Sequence, residues 1–317
     1  MKKRLILFML MGVAFISYLF PTLSTNVMYD FYHWKSTYNV KLEGKNIPSY
    51  VKVLDISFSN SLLIRKTVFK TTPSQQFVPV IYIDNPLWSK MGAKTMVNKV
   101  LESLKNMPFK EYREIQVDCD WTDGTRERYF EFLKLLKQKS GKQISSTIRL
   151  HQVKYYKRTG VPPVDHGILM YYNMSDFKDI ETKNYILDLE LAKQYHYNFD
   201  TYPLALNLAL PLYSQATIIR FGKVVGFMEG VREKDLDENF KELKGHLYEV
   251  TKTHYFQERL LYEGDRVRVD EVSLAMLQEV VNELKGVMSK PKKIIFYRWG
   301  NYGYYDVKKL KDIVESW

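Results

Sequence analysis

The chain has 317 residues, 45% of them hydrophobic and 26% charged, which allows a large buried core and excludes wholesale disorder, collagen and coiled coil. Lys and Arg number 47 against 36 Asp and Glu, a net charge of +11 that suits an acidic partner such as nucleic acid, anionic lipid or an acidic glycan, while its dispersal with no dense basic run is equally the pattern of solvated lysines. The single cysteine, Cys119, excludes an internal disulfide framework and a cysteine-rich zinc module.

Lys2, Lys3 and Arg4 precede an uncharged apolar stretch, Leu5 to Phe20. Residues 1–26 therefore have the layout of a bacterial export signal, with Pro21 to Thr25 a poor cleavage site, so that retention as an N-terminal membrane anchor is an open alternative. The expected location is outside the cytoplasm, periplasmic or at the cell surface. No cysteine follows the apolar run, which excludes attachment through a lipidated cysteine.

From residue 27 to 317, short runs rich in Val, Ile and Tyr alternate with segments of helical period. Eight runs predict strands: Phe31 to Trp34, Val51 to Phe58, Val78 to Asp84, Ile115 to Trp121, Ile144 to His151, Ile168 to Asn173, Ala205 to Tyr213 and Ile294 to Trp299. Helices are expected over Ala93 to Leu104, Asn184 to Tyr195, Leu274 to Leu284 and Val307 to Val314. The clearest follows the fourth strand, where Thr125 can cap a helix that buries Tyr129, Phe132, Leu133 and Leu136 and stops at Gly141. Eight strands with helices between most of them predict an α/β fold, a (β/α)8 barrel. The interval of about 217–290 is too long for one crossover and is expected to form a small α+β insertion before the last strand.

A barrel of this kind works at the C-terminal ends of its strands. In Gln116-Val117-Asp118-Cys119-Asp120-Trp121-Thr122, period two sends Asp118 and Asp120 to one face, about 6.6 Å apart at ~3.3 Å per residue, while Val117, Cys119 and Trp121 take the other. Burying two like charges raises the pKa of at least one, so the two are candidate catalytic residues, with Asp123 in the following loop as a third. The alternative is a structural role in hydrogen bonds to Arg149, His151 or the backbone. On the fifth strand, Arg149 and His151 face the same way as Thr147; Arg149 could pair with Asp118 or hold an anionic group of a substrate, and His151 is a further candidate for substrate binding. Tyr172, Asn173, Tyr213 and Trp299 put aromatic and amide groups at the remaining strand ends, the furniture of a sugar site. None of the six histidines forms a His-x-x-x-His pair, and there is neither a glycine-rich dinucleotide motif nor a phosphate loop. Neither metal nor cofactor is expected, and no nucleic-acid partner.

Asp118-Cys119-Asp120-Trp121, Met170-Tyr171-Tyr172-Asn173, Leu210-Pro211-Leu212-Tyr213 and Trp299 resemble the strand-end signatures of family 18 glycoside hydrolases, the chitinase-like barrels. The chain is more similar still to bacterial proteins in that neighbourhood whose paired aspartates are followed by an arginine, here Arg126. The resemblance implies a polysaccharide or oligosaccharide partner, with Asp120 orienting an acetamido group, Tyr172 hydrogen-bonding it and Trp299 flooring the sugar site. It also exposes a departure, because the family's proton-donating glutamate is replaced by Thr122, whose hydroxyl gives up no proton near neutral pH. Two functions follow: an exported glycan hydrolase in which Asp118, Asp120 or Asp123 supplies the acid, or a barrel that binds carbohydrate without cleaving it.

Overall fold

The computed structural model describes residues 26–39, 47–73, 76–109, 111–176, 178–300 and 305–317. The apolar run Leu5 to Phe20, and all of the expected signal except Asn26, lie outside them. Among the described residues no helix is long and apolar enough to cross a membrane.

Eight parallel strands close into a barrel: β1 (Met28–His33), β2 (Tyr50–Phe58), β3 (Val78–Ile83), β4 (Glu114–Asp118), β5 (Gln143–Arg149), β6 (His166–Met170), β7 (Leu206–Pro211) and β8 (Lys293–Tyr297). Each expected run supplies one. Closure is made twice by β1, which pairs with β8 from Met28↔Lys293 to Phe31↔Phe296 and with β2 through Tyr32↔Tyr50 and His33↔Val51. Four longer helices cover the outside: α1 (Ala93–Lys105), α2 (Arg126–Ser140), α3 (Leu274–Leu284) and α4 (Val307–Glu315).

The alternation within the strands divides the apolar residues into two cores. Ile115, Val117, Cys119 and Trp121 lie outside the barrel in a cluster with Tyr129, Phe132, Leu133 and Leu136 of α2. Each fully buried aliphatic side chain in that layer contributes about 1.5–3 kcal/mol. The inner cluster of Tyr32, Tyr50, Val80, Ile168, Met170, Tyr172, Ala209 and Ile295 fills the barrel. Gly141 ends α2 in the left-handed conformation, φ 64°, which glycine adopts without strain. Thr125 occupies the N-cap position, but its hydroxyl donates to Asn85 Oδ1 at 2.6 Å and accepts from Thr122 N at 3.0 Å.

The helix expected over Asn184 to Tyr195 is only Leu189–Lys193. Asn184 Oδ1 accepts from Ile186 N and Leu187 N, and Asp188 caps the helix through Leu191 N, so local side chains displace the first helical turn. The freed segment holds the insertion. There a five-stranded antiparallel sheet runs in the order Lys223–Glu229, Gln215–Arg220, Arg266–Asp270, Leu247–Val250 and Phe240–Lys244. The hairpin His254–Phe256 and Arg259–Leu261 packs Phe256 and Leu261 on Ala216, Ile218, Val267 and Val269. The helical part of the interval, α3, instead buries Leu277, Val280, Val281 and Leu284 in the outer core of the barrel.

The sheet docks on the barrel through a buried pair. Arg268 and Asp270 are 2% and 0% exposed, with Arg268 Nε 3.1 Å from both carboxylate oxygens. Asp270 also accepts from Tyr185 N, and Asn184 Nδ2 donates to Glu271 O. Removing one member leaves a buried charge without its partner. Asp270→Ala is therefore expected to lower stability by about 3 kcal/mol, read from urea unfolding at neutral pH.

Candidate active site

Strand β4 delivers Gln116 and Asp118 to the barrel interior. Gln116 Nε2 donates to the Tyr32 hydroxyl at 2.7 Å, and one layer higher Asp118 is 8% exposed. Thr147 on β5 donates its hydroxyl to Asp118 Oδ1 at 2.7 Å. Burial, reinforced by the negative charge of Asp120, pushes the Asp118 carboxyl up to about 6, against the opposing effects of the Thr147 hydrogen bond, Arg149 and Lys52.

Asp120 lies past the end of β4, on the rim, with a side chain 59% exposed and Arg149 Nε 3.1 Å from Oδ1. Arg149 ends β5 and is mostly covered. The two aspartates and the arginine therefore meet at the C-terminal mouth, one carboxyl inside it and one at its edge. Tyr82 on β3 stands in the same field: burial, then Asp84, Asp118, Asp120 and Asp55, drive its phenol well above the ordinary tyrosine range.

Aromatic rings complete the mouth. Tyr297, the last residue of β8, stacks on Tyr172 at 5.3 Å and 17°, and meets Trp34 at 5.5 Å and Tyr213 at 5.7 Å edge-on. The Tyr213 hydroxyl donates to Asn173 Oδ1, tying the end of β7 to the loop after β6. Lys52 Nζ sits 5.0 Å over Trp34 and 3.5 Å from Asp55 Oδ2.

Four expected residues have other surroundings. Trp299 is 1% exposed and packs edge-on against Phe31 in the outer core. Period two carries only to the end of β8 at Tyr297, and Trp299 N is already bonded to Tyr32 O at 2.7 Å. The buried Tyr172 turns its hydroxyl to Met170 Sδ at 3.2 Å and acts as a support beneath Tyr297. His151 is exposed in the short helix Leu150–Lys154, because β5 stops two residues earlier. Asp123 is exposed in the turn before α2, 3.5 Å from Arg158 Nε.

Thr122, at the position of the family's acid, belongs to that turn, where its carbonyl accepts from Thr125 N and Arg126 N. Arg126 in turn donates to Arg158 O. The residues that alternation missed are Lys52 and Asp55, since a register shift between Lys52 and Leu54 breaks period two in β2. Tyr82 and Tyr297 were legible as inward positions of β3 and β8. Among the described residues, no group of three or more His, Cys, Asp and Glu is arranged to hold a metal. A hollow of about 650 Å³ lies at the opposite end of the barrel, beside Gln143, His166, Leu206 and Lys292, away from the paired aspartates.

No family model matches the chain, and no curated protein matches it. Solved structures do. A chitinase from Chromobacterium violaceum is 10% identical, with a TM-score of 0.55, over 91% of this chain and 98% of that one. The spore cortex-lytic enzyme SleL of Bacillus cereus is 13% identical, with a TM-score of 0.50, over 91% of this chain and 72% of that one. The chain thus has the chitinase-like (β/α)8 fold that its strand-end motifs resemble.

The raised carboxyl has a consequence for stability. Folding favours the protonated form of Asp118, so its contribution is fully present below the unfolded value near 3.8 and is lost as pH rises through about 6. Asp118→Asn is expected to stabilise the protein by about 3 kcal/mol at pH 8 and to change it little at pH 4, read from urea unfolding at both values.

Proposed function

We propose that the protein binds a glycan across the C-terminal mouth of its barrel and cleaves a glycosidic bond with Asp118 as proton donor. The observation that carries this reading is the Asp118 carboxyl, raised to about 6, beside the rim carboxylate of Asp120. A general acid is most effective when its pKa lies near the working pH, and burial is how a carboxylic acid reaches that range. Asp120, oriented by Arg149, is placed to stabilise the positive charge that develops on the sugar ring. Tyr297 supplies the flat apolar surface against which the ring packs. The N-terminal export layout directs the choice of substrate to a cell-envelope or scavenged glycan, N-acetylated as in peptidoglycan or chitin.

A second reading, binding without turnover, is favoured by Thr122 and by the depth of Asp118 at 8% exposure. The two separate in one assay: purified protein is incubated with peptidoglycan and chitin fragments, and reducing ends and binding are both measured. Hydrolysis is expected, falling about 10²–10⁴-fold in Asp118→Asn with binding retained, the usual worth of a general acid. Tyr297→Ala is expected to weaken binding about tenfold. Binding with no reducing ends from the wild type establishes the second reading, and hydrolysis that survives Asp118→Asn removes that residue from the mechanism.

A further inference from the structure

Phe221 and Gly222 form the two-residue turn between the insertion strands Gln215–Arg220 and Lys223–Glu229, where Arg220 pairs with Lys223. Both turn residues are left-handed, with φ 48° and 71°, a conformation that suits Asn-Gly and strains a bulky side chain at the first position. The Phe221 ring is nevertheless 97% exposed, so no burial within the chain offsets that strain. Such an outlier points to a contact made outside the fold.

Beside the ring is a hollow of about 330 Å³, walled by Ile180, Ile219 and Leu247 and edged by Glu181 and Arg266. Among the described residues, neither the Glu181 carboxylate nor the Arg266 guanidinium has a hydrogen-bond or ion-pair partner. A second hollow of about 430 Å³ shares Ile180, Glu181 and Leu247 with the first and continues to Lys183 and His246. The charges about the two have both signs: Asp179, Glu181, Glu249 and Glu263 stand against Lys178, Lys183, Lys223, Lys244 and Arg266. Arg220 is bonded to Asp265, Arg268 to Asp270 and His246 to Glu233. With no strong excess of either sign, the surroundings do not select a polyanion or a polycation.

An open aromatic face, an aliphatic wall and two unpartnered charged ends suit a small ligand that is apolar on one side and hydroxylated at its edge. A sugar ring has that form. We propose that this hollow is a second glycan-binding site, in which the Phe221 ring packs on the apolar face of a sugar and Glu181 and Arg266 hydrogen-bond its hydroxyls. From Gln215, two residues past Tyr213 of the mouth, to Phe221 is about 20 Å at ~3.3 Å per residue. The site is therefore separate from the aspartate pair, and it binds whether or not the mouth cleaves.

The test measures adsorption of the full chain to insoluble peptidoglycan and to chitin, in the wild type and in Tyr297→Ala, where the mouth's share is reduced. Phe221→Asn gives the turn its preferred Asn-Gly sequence, so its urea midpoint is expected to rise while adsorption to at least one polymer weakens about tenfold. Glu181→Gln is expected to weaken the same adsorption about threefold. Release of reducing ends from short soluble fragments is expected to stay at the wild-type level in both variants, which separates a failure at this site from one at the mouth. Adsorption unchanged by Phe221→Asn, a loss that comes with a lower urea midpoint, or a wild type that adsorbs to neither polymer overturns the proposal.

Discussion

Closure of the barrel through the two pairings of β1 is the constraint on which the rest depends. Once the eight parallel strands close on themselves, every second side chain must enter one narrow interior, and polar groups there must find partners among one another. Gln116 bonds to Tyr32, Asp118 to Thr147, and at the far end Glu114 to Ser145. An apolar girdle of Val80, Ile168, Ala209 and Ile295 occupies the middle. Asp118 lies near the upper limit of that girdle, dry enough for its proton to be held and close enough to the rim to feel Asp120.

The mouth is a set of opposed charges unevenly exposed. Arg149 is largely covered while its partner Asp120 is largely open, so the arginine is the rigid member and positions the carboxylate. The same guanidinium limits how far the Asp118 carboxyl can rise. Tyr297, backed by Tyr172 and flanked by Trp34 and Tyr213, is held on three sides by other rings, an arrangement that orients its face at small entropic cost.

Two contacts join the antiparallel sheet to the strand ends of this assembly. Arg268 and Asp270 fasten it to the loop after β6, and Arg298, the residue after β8, is bonded to Glu229 of its edge strand. Both contacts sit beside strand ends that carry Asn173, Tyr213 and Tyr297. The insertion thus braces the loops of the mouth while keeping a hydrophobic core of its own.

The sequence by itself determined the architecture. Period two in eight runs and period 3.6 between them are local consequences of where each segment must hide its apolar side, and they located all eight strands, α1 to α4, and the inward turn of Asp118. Tertiary structure decided what alternation cannot reach. Past the last paired residue there is no pleat to set direction, so Trp299 went to the outer core, His151 into a short helix and Asp120 to the rim beside Arg149. A shifted register brought Lys52 and Asp55 to the mouth unannounced. Burial of Asp118, and with it the proton it holds, depends on neighbours from other strands, which no single segment of sequence encodes.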